Sequence, residues 1–217
     1  MSQKVVIFGT GSQADVVQFY LTHDSDYEVV AFTASERFVT VETYRNLPLV
    51  AFEEIEKRYP PADYKMFVAV GYAEWNKVRE RFYNEAKGKG YELITYINSK
   101  VTHWGDAVIG DNCFILEDVT LQPFVKIGSN NIIWSGNHIG HHSTIGSHCF
   151  ITSHVVVSGH VNVGDRCFIG VNATLRDNIQ IAADTVIGAG ALILKNTKSG
   201  EIYAGERTKP MPRKTTV

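Results

Sequence analysis

The feature of the sequence that most constrains its fold is a six-residue repeat over residues 109–193. Every sixth residue in this span is Ile, Leu or Val, at fifteen consecutive positions. A helix buries side chains on a period of 3.6 and a half-buried strand on a period of 2, so neither template explains a period of six. A fixed six-residue period is typical of a parallel β-helix, in which each repeat supplies one short strand and one turn. The positions are Ile109, Ile115, Leu121, Ile127, Ile133, Ile139, Ile145, Ile151, Val157, Val163, Ile169, Leu175, Ile181, Ile187 and Ile193.

A second position of the repeat, four residues after each branched residue, carries small or modest side chains. All three cysteines of the chain, Cys113, Cys149 and Cys167, occupy this position. Buried free cysteine behaves as a small apolar residue. We therefore predict that these cysteines pack inside the coils, and that they form neither disulfides nor a metal site.

The first 97 residues show a different pattern, in which apolar strands alternate with helices. We predict strands over residues 4–8, 27–32, 47–51, 66–70 and 92–97, and helices over 15–22, 53–58 and 73–87. Within the last helix, Trp75, Val78, Phe82 and Tyr83 follow helical spacing and are predicted to face the core. This alternation is typical of a small Rossmann-like α/β domain with a parallel sheet.

Ligands of such sheets bind beyond the carboxyl ends of the strands. Glycines in the first turn let the backbone approach a phosphate, and the following helix offers unpaired N–H groups. The complete dinucleotide fingerprint is missing, since its third glycine falls at Ala14 and no acid ends the second strand, which disfavours NAD. The alternatives are a turn without a ligand and, for Asn76 and Arg79, a solvated helix face. The candidate substrate-binding residues are Gly9, Gly11, Ser12, Gln13, Thr33, Tyr72 and Asn76.

Histidines supply the most evident chemistry within the repeat. His142, His148, His154 and His160 all occupy its fourth position, which is the turn. For His148 and His154 we expect a structural role at that turn. His141 is one position earlier, in Ile139-Gly140-His141-His142, and is the candidate for catalysis.

Residues 4–210 together resemble a known family. The chain is similar to the left-handed β-helix acyltransferases that carry an N-terminal nucleotide-sugar domain. Within that group it most resembles the N-acetyltransferases of nucleotide-linked 4-amino-6-deoxy sugars of the bacillosamine and perosamine pathways, and less the sialic acid O-acetyltransferases. The motifs that carry the resemblance are Gly9-Thr10-Gly11, the hexapeptides, Ile139-x-His141, Phe168-Ile169-Gly170-Val171-Asn172, and Ile187-Gly188-Ala189-Gly190-Ala191 with Lys195-Asn196.

The resemblance implies a homotrimer of left-handed parallel β-helices with about five coils each. Three hexapeptides make one coil, so His141 stacks beneath Gly159, eighteen residues later. It implies that His141 is the general base, and that the N–H of Gly159 holds the thioester carbonyl of acetyl-CoA. It further implies that the coenzyme groove between two subunits is lined by residues of the last coils. The implied coenzyme-binding residues are Gly159, Val171, Gly188, Ala189 and Lys195.

Three departures from the family pattern bear on the site. A carboxylate follows the catalytic histidine in the bacillosamine-type relative, whereas this chain has His142, which we include among the catalytic candidates. Asp118 or Glu117 is a candidate to supply the missing acid, or the base works unaided. An acidic pair after the second strand is replaced by Thr33-Ala34, and the tail motif reads Gly205-Glu206-Arg207-Thr208-Lys209.

We expect three segments: a nucleotide-sugar-binding α/β domain over residues 1–97, a β-helix over 98–198 and a tail over 199–217. A net charge of −2 and a pI near 6.4 argue against nucleic acid and anionic membranes as partners. No apolar run approaches the ~20 residues that span a bilayer. The N-terminus leads directly into a strand without a signal-peptide pattern, so we expect a cytoplasmic protein.

The predicted function is transfer of an acetyl group from acetyl-CoA to the amine of a UDP-, dTDP- or GDP-linked amino-deoxy sugar, without a metal, in lipopolysaccharide or other glycan biosynthesis. The main alternative is sugar O-acetylation of the sialic acid O-acetyltransferase type. Two more distant alternatives are a zinc hydratase of the γ-carbonic anhydrase type, whose three histidines come from adjacent subunits, and a scaffold without catalysis.

Overall fold

The computed structural model describes residues 2–206, so the part of the tail motif from Arg207 to Lys209 lies outside the described residues. The N-terminal domain is a five-stranded sheet in the order β3-β4-β2-β1-β5, parallel except for β3, which pairs antiparallel with β4. Its elements are β1 (Gln3–Phe8), α1 (Ser12–His23), β2 (Tyr27–Ala34), β3 (Thr43–Tyr44), β4 (Leu47–Ala51), α2 (Ile55–Arg58), β5 (Lys65–Val68) and α3 (Lys77–Gly88), with short 3-10 turns at Glu36–Phe38 and Phe52–Glu54.

The hexapeptides form a left-handed parallel β-helix, as the sequence predicts. Each repeat contributes one strand of two residues, and the second residue of each strand is the predicted branched one. The fifteen strands are β7 (Val108–Ile109), β8 (Phe114–Ile115), β9 (Thr120–Leu121), β10 (Lys126–Ile127), β11 (Ile132–Ile133), β12 (His138–Ile139), β13 (Thr144–Ile145), β14 (Phe150–Ile151), β15 (Val156–Val157), β16 (Asn162–Val163), β17 (Phe168–Ile169), β18 (Thr174–Leu175), β19 (Gln180–Ile181), β20 (Val186–Ile187) and β21 (Leu192–Ile193).

Strands eighteen residues apart pair in register, which gives three parallel sheets, one for each face of a triangular coil. We call them the docked face (β8, β11, β14, β17, β20), the threonine face (β9, β12, β15, β18, β21) and the polar face (β7, β10, β13, β16, β19). Ile139, for example, lies between Leu121 and Val157. The branched side chains fill the interior, and the three cysteines are free and buried among them.

The corners of the coil explain why histidine recurs in this repeat. The fourth residue of every repeat except the last has a positive φ near 60°, the left-handed region that Asn, Asp, His and Gly tolerate best. His148 and His154 are two such corner residues, as predicted. The fourth residues with positive φ, taken along all three corners of the coil, are Asn112, Asp118, Phe124, Asn130, Gly136, His142, His148, His154, His160, Arg166, Asn172, Asn178, Asp184 and Gly190.

Two predictions about the α/β segment are only partly met. The strand expected at residues 92–97 is divided between the two domains: Leu93 forms an isolated parallel bridge with Met66 of β5, whereas β6 (Tyr96–Ile97) pairs with β8 on the docked face of the β-helix. A last strand, β22 (Ile202–Tyr203), extends the same face at its other end. The helix expected from residue 73 begins at Lys77, and Trp75 is 49% exposed instead of packing in the core. No helix among residues 2–206 has the length and apolarity needed to cross a bilayer.

The two domains are joined by a polar contact centred on Arg79 of α3. Its guanidinium is fully buried, and its donors meet acceptors from both domains. Burial lowers the pKa of Arg79 to about 10, so the group stays charged at neutral pH. The acceptors are Gly71 O (2.8 Å), Asn76 Oδ1 (2.9 Å), Asn130 O (3.2 Å), His148 O (2.8 Å) and Cys149 O (2.9 Å).

Further hydrogen bonds surround this buried arginine. The Asn112 side chain accepts the N–H of Val68 and donates to its carbonyl, which caps the end of β5 against the first coil. Tyr83 and Lys87 of α3 both donate to Asp111. The docked face also buries Phe114, Ile132 and Phe150 against the sheet. The α/β domain is therefore fixed on one face of the β-helix, so the other two faces remain uncovered by it.

Removing the buried guanidinium is predicted to destabilise the fold strongly. The change Arg79→Leu leaves several buried carbonyl groups without a donor, and we expect a loss of roughly 3–5 kcal/mol in the free energy of unfolding. Urea unfolding followed by tryptophan fluorescence measures this loss.

The matched control is Arg81→Leu on the same helix. Arg81 is exposed, and its guanidinium makes two surface contacts, one with Glu85 at 3.7 Å and one with the ring of Phe82 at 4.5 Å from the ring centroid. We expect a change within about 0.5 kcal/mol for this variant. Equal losses in the two variants would contradict the central role of Arg79.

Candidate functional site

A cavity of about 520 Å³ lies at the carboxyl edge of the N-terminal sheet, against the docked face. Five of the seven predicted substrate-binding residues line it: Gly9, Gly11, Ser12, Gln13 and Tyr72. Its wall is mostly apolar, and it opens beside the N-terminus of α1. It therefore combines the two features that suit a nucleotide, an apolar wall and a set of main-chain donors.

The first turn depends on glycine for a steric reason. Gly9 has a φ of +124°, and a Cβ there would lie 2.7 Å from the carbonyl oxygen of Ala69. Its N–H donates to Thr33 O across 2.8 Å. Gly11 has ordinary extended backbone, and a methyl group added to it would meet nothing within 4 Å. The close approach is thus confined to Gly9.

Two predicted substrate-binding residues are placed elsewhere by the structure. Thr33 is buried, and its hydroxyl donates to Val50 O at 2.8 Å, so it ties β2 to β4. Asn76 is also buried; its amide N donates to Arg166 O and Cys167 O, and its Oδ1 accepts from Arg79. Asn76 and Arg79 are therefore parts of the domain contact, and neither the solvated face nor the sugar site expected from the sequence is correct.

The β-helix supplies part of the cavity wall that the sequence did not indicate. Trp134 and Phe150 line the cavity from the docked face, and Phe38 lines it from the turn after β2. The ring of Tyr72 lies 5.1 Å from that of Phe150. Because these residues are distant in sequence from the glycine turn, no local motif could have linked them to it.

One buried polar atom of the cavity has no partner within the described chain. The side-chain nitrogen of Gln13 is inaccessible to solvent and makes no hydrogen bond to residues 2–206. A buried donor without an acceptor costs about 1–3 kcal/mol. A ligand in the cavity could accept from this nitrogen only after the Gln13 side chain turned to expose it.

His141 lies on a different part of the molecule, at the corner between the threonine face and the polar face. Its backbone N–H donates to Oε1 of Gln122 from the preceding coil, at 2.9 Å. Its ring covers Gly159, because a Cβ on that glycine would lie 2.7 Å from Cε1 and 2.8 Å from Nε2 of His141. Any larger residue at position 159 would displace the imidazole.

Gly159 also presents an available main-chain donor beside this ring. Among residues 2–206, no acceptor pairs with its N–H, whereas its carbonyl accepts from Asn178 N. The structure therefore places an exposed imidazole and a free N–H on adjacent rungs of one corner. This juxtaposition suits a reaction in which a proton is removed while negative charge develops on a nearby oxygen.

Two further histidines share the corner. Nδ1 of His141 lies 3.1 Å from Nδ1 of His142. The rings of His142 and His160 are stacked at 4.8 Å, and the ring of Phe124 lies 4.6 Å from that of His142. The sequence alone indicates no role for His160, because its closeness to His141 arises only from the stacking of successive coils.

Neither acid proposed from the sequence contacts His141. Glu117 accepts from the hydroxyls of Tyr20 at 2.8 Å and Ser135 at 2.8 Å. Burial raises the pKa of Glu117, but hydrogen bonds from the backbone, Tyr20 and Ser135 outweigh it and lower the pKa overall. Burial, together with this carboxylate, raises the pKa of Tyr20 to about 12. Asp118 lies at the same corner as Glu117, between the docked face and the threonine face. His141 lies at the opposite edge of the threonine face, so the width of that face separates it from both acids.

The predicted coenzyme-binding residues fall on two corners. Val171, Gly188 and Ala189 lie between the docked face and the threonine face, and Gly159 and Lys195 lie at the corner of His141. Val171, Ala189 and Lys195 are exposed. Within one chain the two groups are on opposite sides of the threonine face.

Comparison with known families and structures agrees with this architecture. Residues 4–86 match the PglD N-terminal domain family, and residues 106–139 and 160–195 match the bacterial transferase hexapeptide (six repeats) family. Each model matches its own segment of the chain: the N-terminal domain is similar to the PglD type, and the β-helix is similar to the hexapeptide transferases. These two matches confirm the resemblance that the sequence indicates.

Solved structures share the whole fold. The acetyltransferase domain of PglB from Neisseria gonorrhoeae has a TM-score of 0.83 and 21% identity, over 96% of this chain and 100% of that one. PerB from Caulobacter crescentus, solved with CoA and GDP-perosamine, has a TM-score of 0.84 and 24% identity, over 94% and 95%. WeeI from Acinetobacter baumannii has a TM-score of 0.60 and 18% identity, over 92% and 95%.

The close backbone approach at Gly9 gives a testable contrast within one turn. We expect Gly9→Ala to lower the free energy of unfolding by about 2–3 kcal/mol, because the methyl group meets the Ala69 carbonyl and the positive φ becomes strained. Gly11→Ala should change it by less than about 1 kcal/mol. Urea unfolding of the two variants measures both values, and equal stability would contradict the geometry of the turn.

Proposed function

We propose that this protein transfers the acetyl group of acetyl-CoA to the amino group of a nucleotide-linked amino-deoxy sugar. The observation that carries the proposal is the exposed His141 ring over Gly159, whose N–H is free of any partner in the described chain. The cavity beside the glycine turn supports a nucleotide as the handle of the acceptor. Similarity in fold to PerB, which was solved with CoA and GDP-perosamine, supports the same class of substrates.

His141 acts as the general base in this proposal. The amine nitrogen attacks the thioester carbonyl carbon and passes a proton to the imidazole. A C–N bond forms, the C–S bond breaks, and the thiolate of CoA leaves and takes up a proton. The N–H of Gly159 donates to the carbonyl oxygen as it gains negative charge. Holding both reactants in one groove supplies much of the remaining rate enhancement.

His142 replaces the carboxylate that follows the base in the bacillosamine-type relative. At 3.1 Å, the His142 Nδ1 can pair with the His141 Nδ1 and so fix the orientation of the base. A neutral imidazole does not stabilise the protonated base as a carboxylate would. We therefore assign His142 a positioning role and expect the base to work without help from a carboxylate. This suits an amine, which is a better nucleophile than a hydroxyl, and it favours N-acetylation over O-acetylation.

We propose a homotrimer in which the complete site forms between neighbouring chains. The nucleotide cavity lies on the docked face, and His141 lies beyond the threonine face, which at six residues spans about 20 Å of extended chain. A neighbour whose His141 corner faces this cavity would complete the site, and the coenzyme residues of the two corners would then line one groove. The threonine face and its corner also expose apolar side chains, including Phe124, Val156, Leu192 and Leu194, which a neighbour would cover.

Because acetyl-CoA and sugar nucleotides are cytoplasmic metabolites, we place the reaction in the cytoplasm.

The reaction is tested by thiol release from acetyl-CoA with a panel of UDP-, dTDP- and GDP-linked amino sugars. We expect turnover on one class of amino sugar, and a loss of 10²-fold or more in kcat for His141→Ala, because a positioned base contributes about 10²–10⁴-fold. The control is His23→Ala, an exposed histidine at the C-terminal end of α1 and away from both corners, which should retain activity.

Each result of this assay identifies a different error in the proposal. Turnover that survives His141→Ala would show that the base lies elsewhere. Turnover only on hydroxyl acceptors would replace the proposal with O-acetylation. No thiol release on any acceptor, from protein whose fold is verified by circular dichroism, would exclude the transferase assignment.

The shared site is tested by mixing two inactive variants. Gly11→Leu should fill the cavity without disturbing the turn, and His141→Ala should remove the base. If each site takes its cavity from one chain and its histidine from the next, random assembly of equal amounts by co-expression should restore about a quarter of the wild-type activity.

Sites built within a single chain would stay inactive in every mixture. The control is a mixture of Gly11→Leu with a second cavity variant, Ser12→Leu, in which no chain keeps an open cavity. Analytical ultracentrifugation of the same samples gives the number of chains per particle. A monomer, or a mixture that remains inactive, would contradict the proposed trimer.

A further inference from the structure

The corner that carries the proposed base also carries a set of three possible metal ligands. His141, His142 and His160 each offer one ring nitrogen, and these nitrogens all lie within 4.8 Å of one another. We propose that the three histidines bind a divalent transition-metal ion of the Zn²⁺ type and that the bound ion inhibits the enzyme by occupying His141. Metal binding stands on the geometry alone, whereas the inhibition rests on the proposed function.

One pair of ring nitrogens already has the spacing that a tetrahedral ion requires. Zinc binds imidazole nitrogen at 2.0–2.1 Å, so two ligand nitrogens of a tetrahedral site stand about 3.3 Å apart. The two Nδ1 atoms of His141 and His142 are 3.1 Å apart. The ring of His160 lies 5.1 Å from that of His141, nearly perpendicular to it, and 4.8 Å from that of His142. Because the rings of His142 and His160 are stacked with only 14° between their planes, one of these exposed side chains must rotate before both can direct a nitrogen at the same ion.

The β-helix backbone holds these side chains in place before any ion binds. His142 and His160 are corner residues eighteen positions apart, both in the left-handed region with φ of +58° and +57°. Their stacking follows from the ~4.8 Å spacing of neighbouring strands. The N–H of His160 donates to the carbonyl of His141 at 2.9 Å, which joins the third ligand to the first. Little backbone entropy is therefore lost on binding.

The chemistry of the donor set favours a borderline metal over calcium or magnesium. Three neutral imidazoles suit Zn²⁺, Ni²⁺ or Cu²⁺, whereas Ca²⁺ and Mg²⁺ require oxygen ligands. Three protein ligands leave the fourth position of a tetrahedral ion open to water or to a thiolate. All three residues are exposed, so an ion can reach them directly.

Metal binding and general-base catalysis are mutually exclusive at His141. A neutral imidazole has one in-plane lone pair, and its other nitrogen carries a proton. Whichever nitrogen binds the ion, the remaining one is an N–H and cannot accept the proton of the amine. An ion at this corner would therefore stop the reaction without altering the nucleotide cavity, which lies on another face.

The remaining corner histidines provide controls because they lie apart from this cluster. The Nδ1 of His148 is 2.8 Å from the amide nitrogen of Asn130 at the domain contact. The ring of His154 covers Gly136 at the far corner of the threonine face. Both have the same left-handed backbone as His160, so asparagine substitutions at these positions have equivalent backbone effects.

The experiment compares chelator-treated wild-type protein with His160→Asn and with His154→Asn. Cobalt(II) titration followed by visible absorption reports tetrahedral nitrogen ligation, and equilibrium dialysis with Zn²⁺ gives stoichiometry and affinity. We expect one ion per chain in the wild type and in His154→Asn, and an affinity at least about tenfold lower in His160→Asn. In the thiol-release assay, Zn²⁺ should inhibit the first two proteins at concentrations that leave His160→Asn active.

The two readouts separate failure of the site from failure of the proposed function. Binding in His160→Asn equal to the wild type, or no tetrahedral cobalt spectrum in the wild type, would overturn the site, even if no acceptor sugar had been found. Metal binding without inhibition of a measurable turnover, or activation by Zn²⁺, would overturn the inhibitory role. Inhibition in all three proteins alike would show that the ion acts elsewhere.

Discussion

The in-register stacking of coils eighteen residues apart is the constraint on which the rest of this structure depends. Each two-residue strand is too short to be stable alone, and it is held by hydrogen bonds to the coils on either side. Stacking places one interior side chain directly above another, and it also aligns every corner into a column. The pairing of His141 with Gly159 and the stacking of His142 on His160 are consequences of this register. A change that shifted the register would therefore alter the chemistry of the corner together with the core.

The position of the N-terminal domain is determined by a buried charge. Arg79 loses its hydration on burial, and the cost is met by acceptors contributed from both domains. Because those acceptors are mainly backbone carbonyls at the ends of strands and corners, the arginine can bond to them only when the domains are docked. The docking in turn completes the cavity, since Trp134 and Phe150 of the β-helix form part of its wall. The cavity is thus a product of the domain contact as well as of the glycine turn.

The cavity and the histidine corner lie apart in the chain, so the two parts of the proposed site can have different roles, nucleotide recognition in the cavity and proton transfer at the corner. The cavity lies in the docked, rigid region, where an apolar wall and a buried amide favour recognition. The corner lies at the exposed edge, where the imidazoles are accessible to a neighbouring chain, to a thioester and to a metal ion. The residue at position 142 bears on what this corner can bind. With His142 the corner presents three imidazoles, the set that we propose binds a metal ion, whereas a carboxylate there would instead stabilise a protonated His141.

The sequence by itself determined the β-helix, its strand positions, the interior location of the cysteines and the nomination of His141 and the glycine turn. Those features depend on local periodicity or on contacts between residues eighteen positions apart, and a fixed repeat allows both to be predicted from the sequence. Only the tertiary structure decided the roles of residues whose partners are distant. Thr33, Asn76 and Arg79 carry the same polar groups whether they meet a ligand, a neighbouring strand or another domain. Tyr96 has the same strand propensity in either sheet. The sequence likewise offers no reason to select His160, because its contacts with His141 and His142 form only when adjacent coils stack.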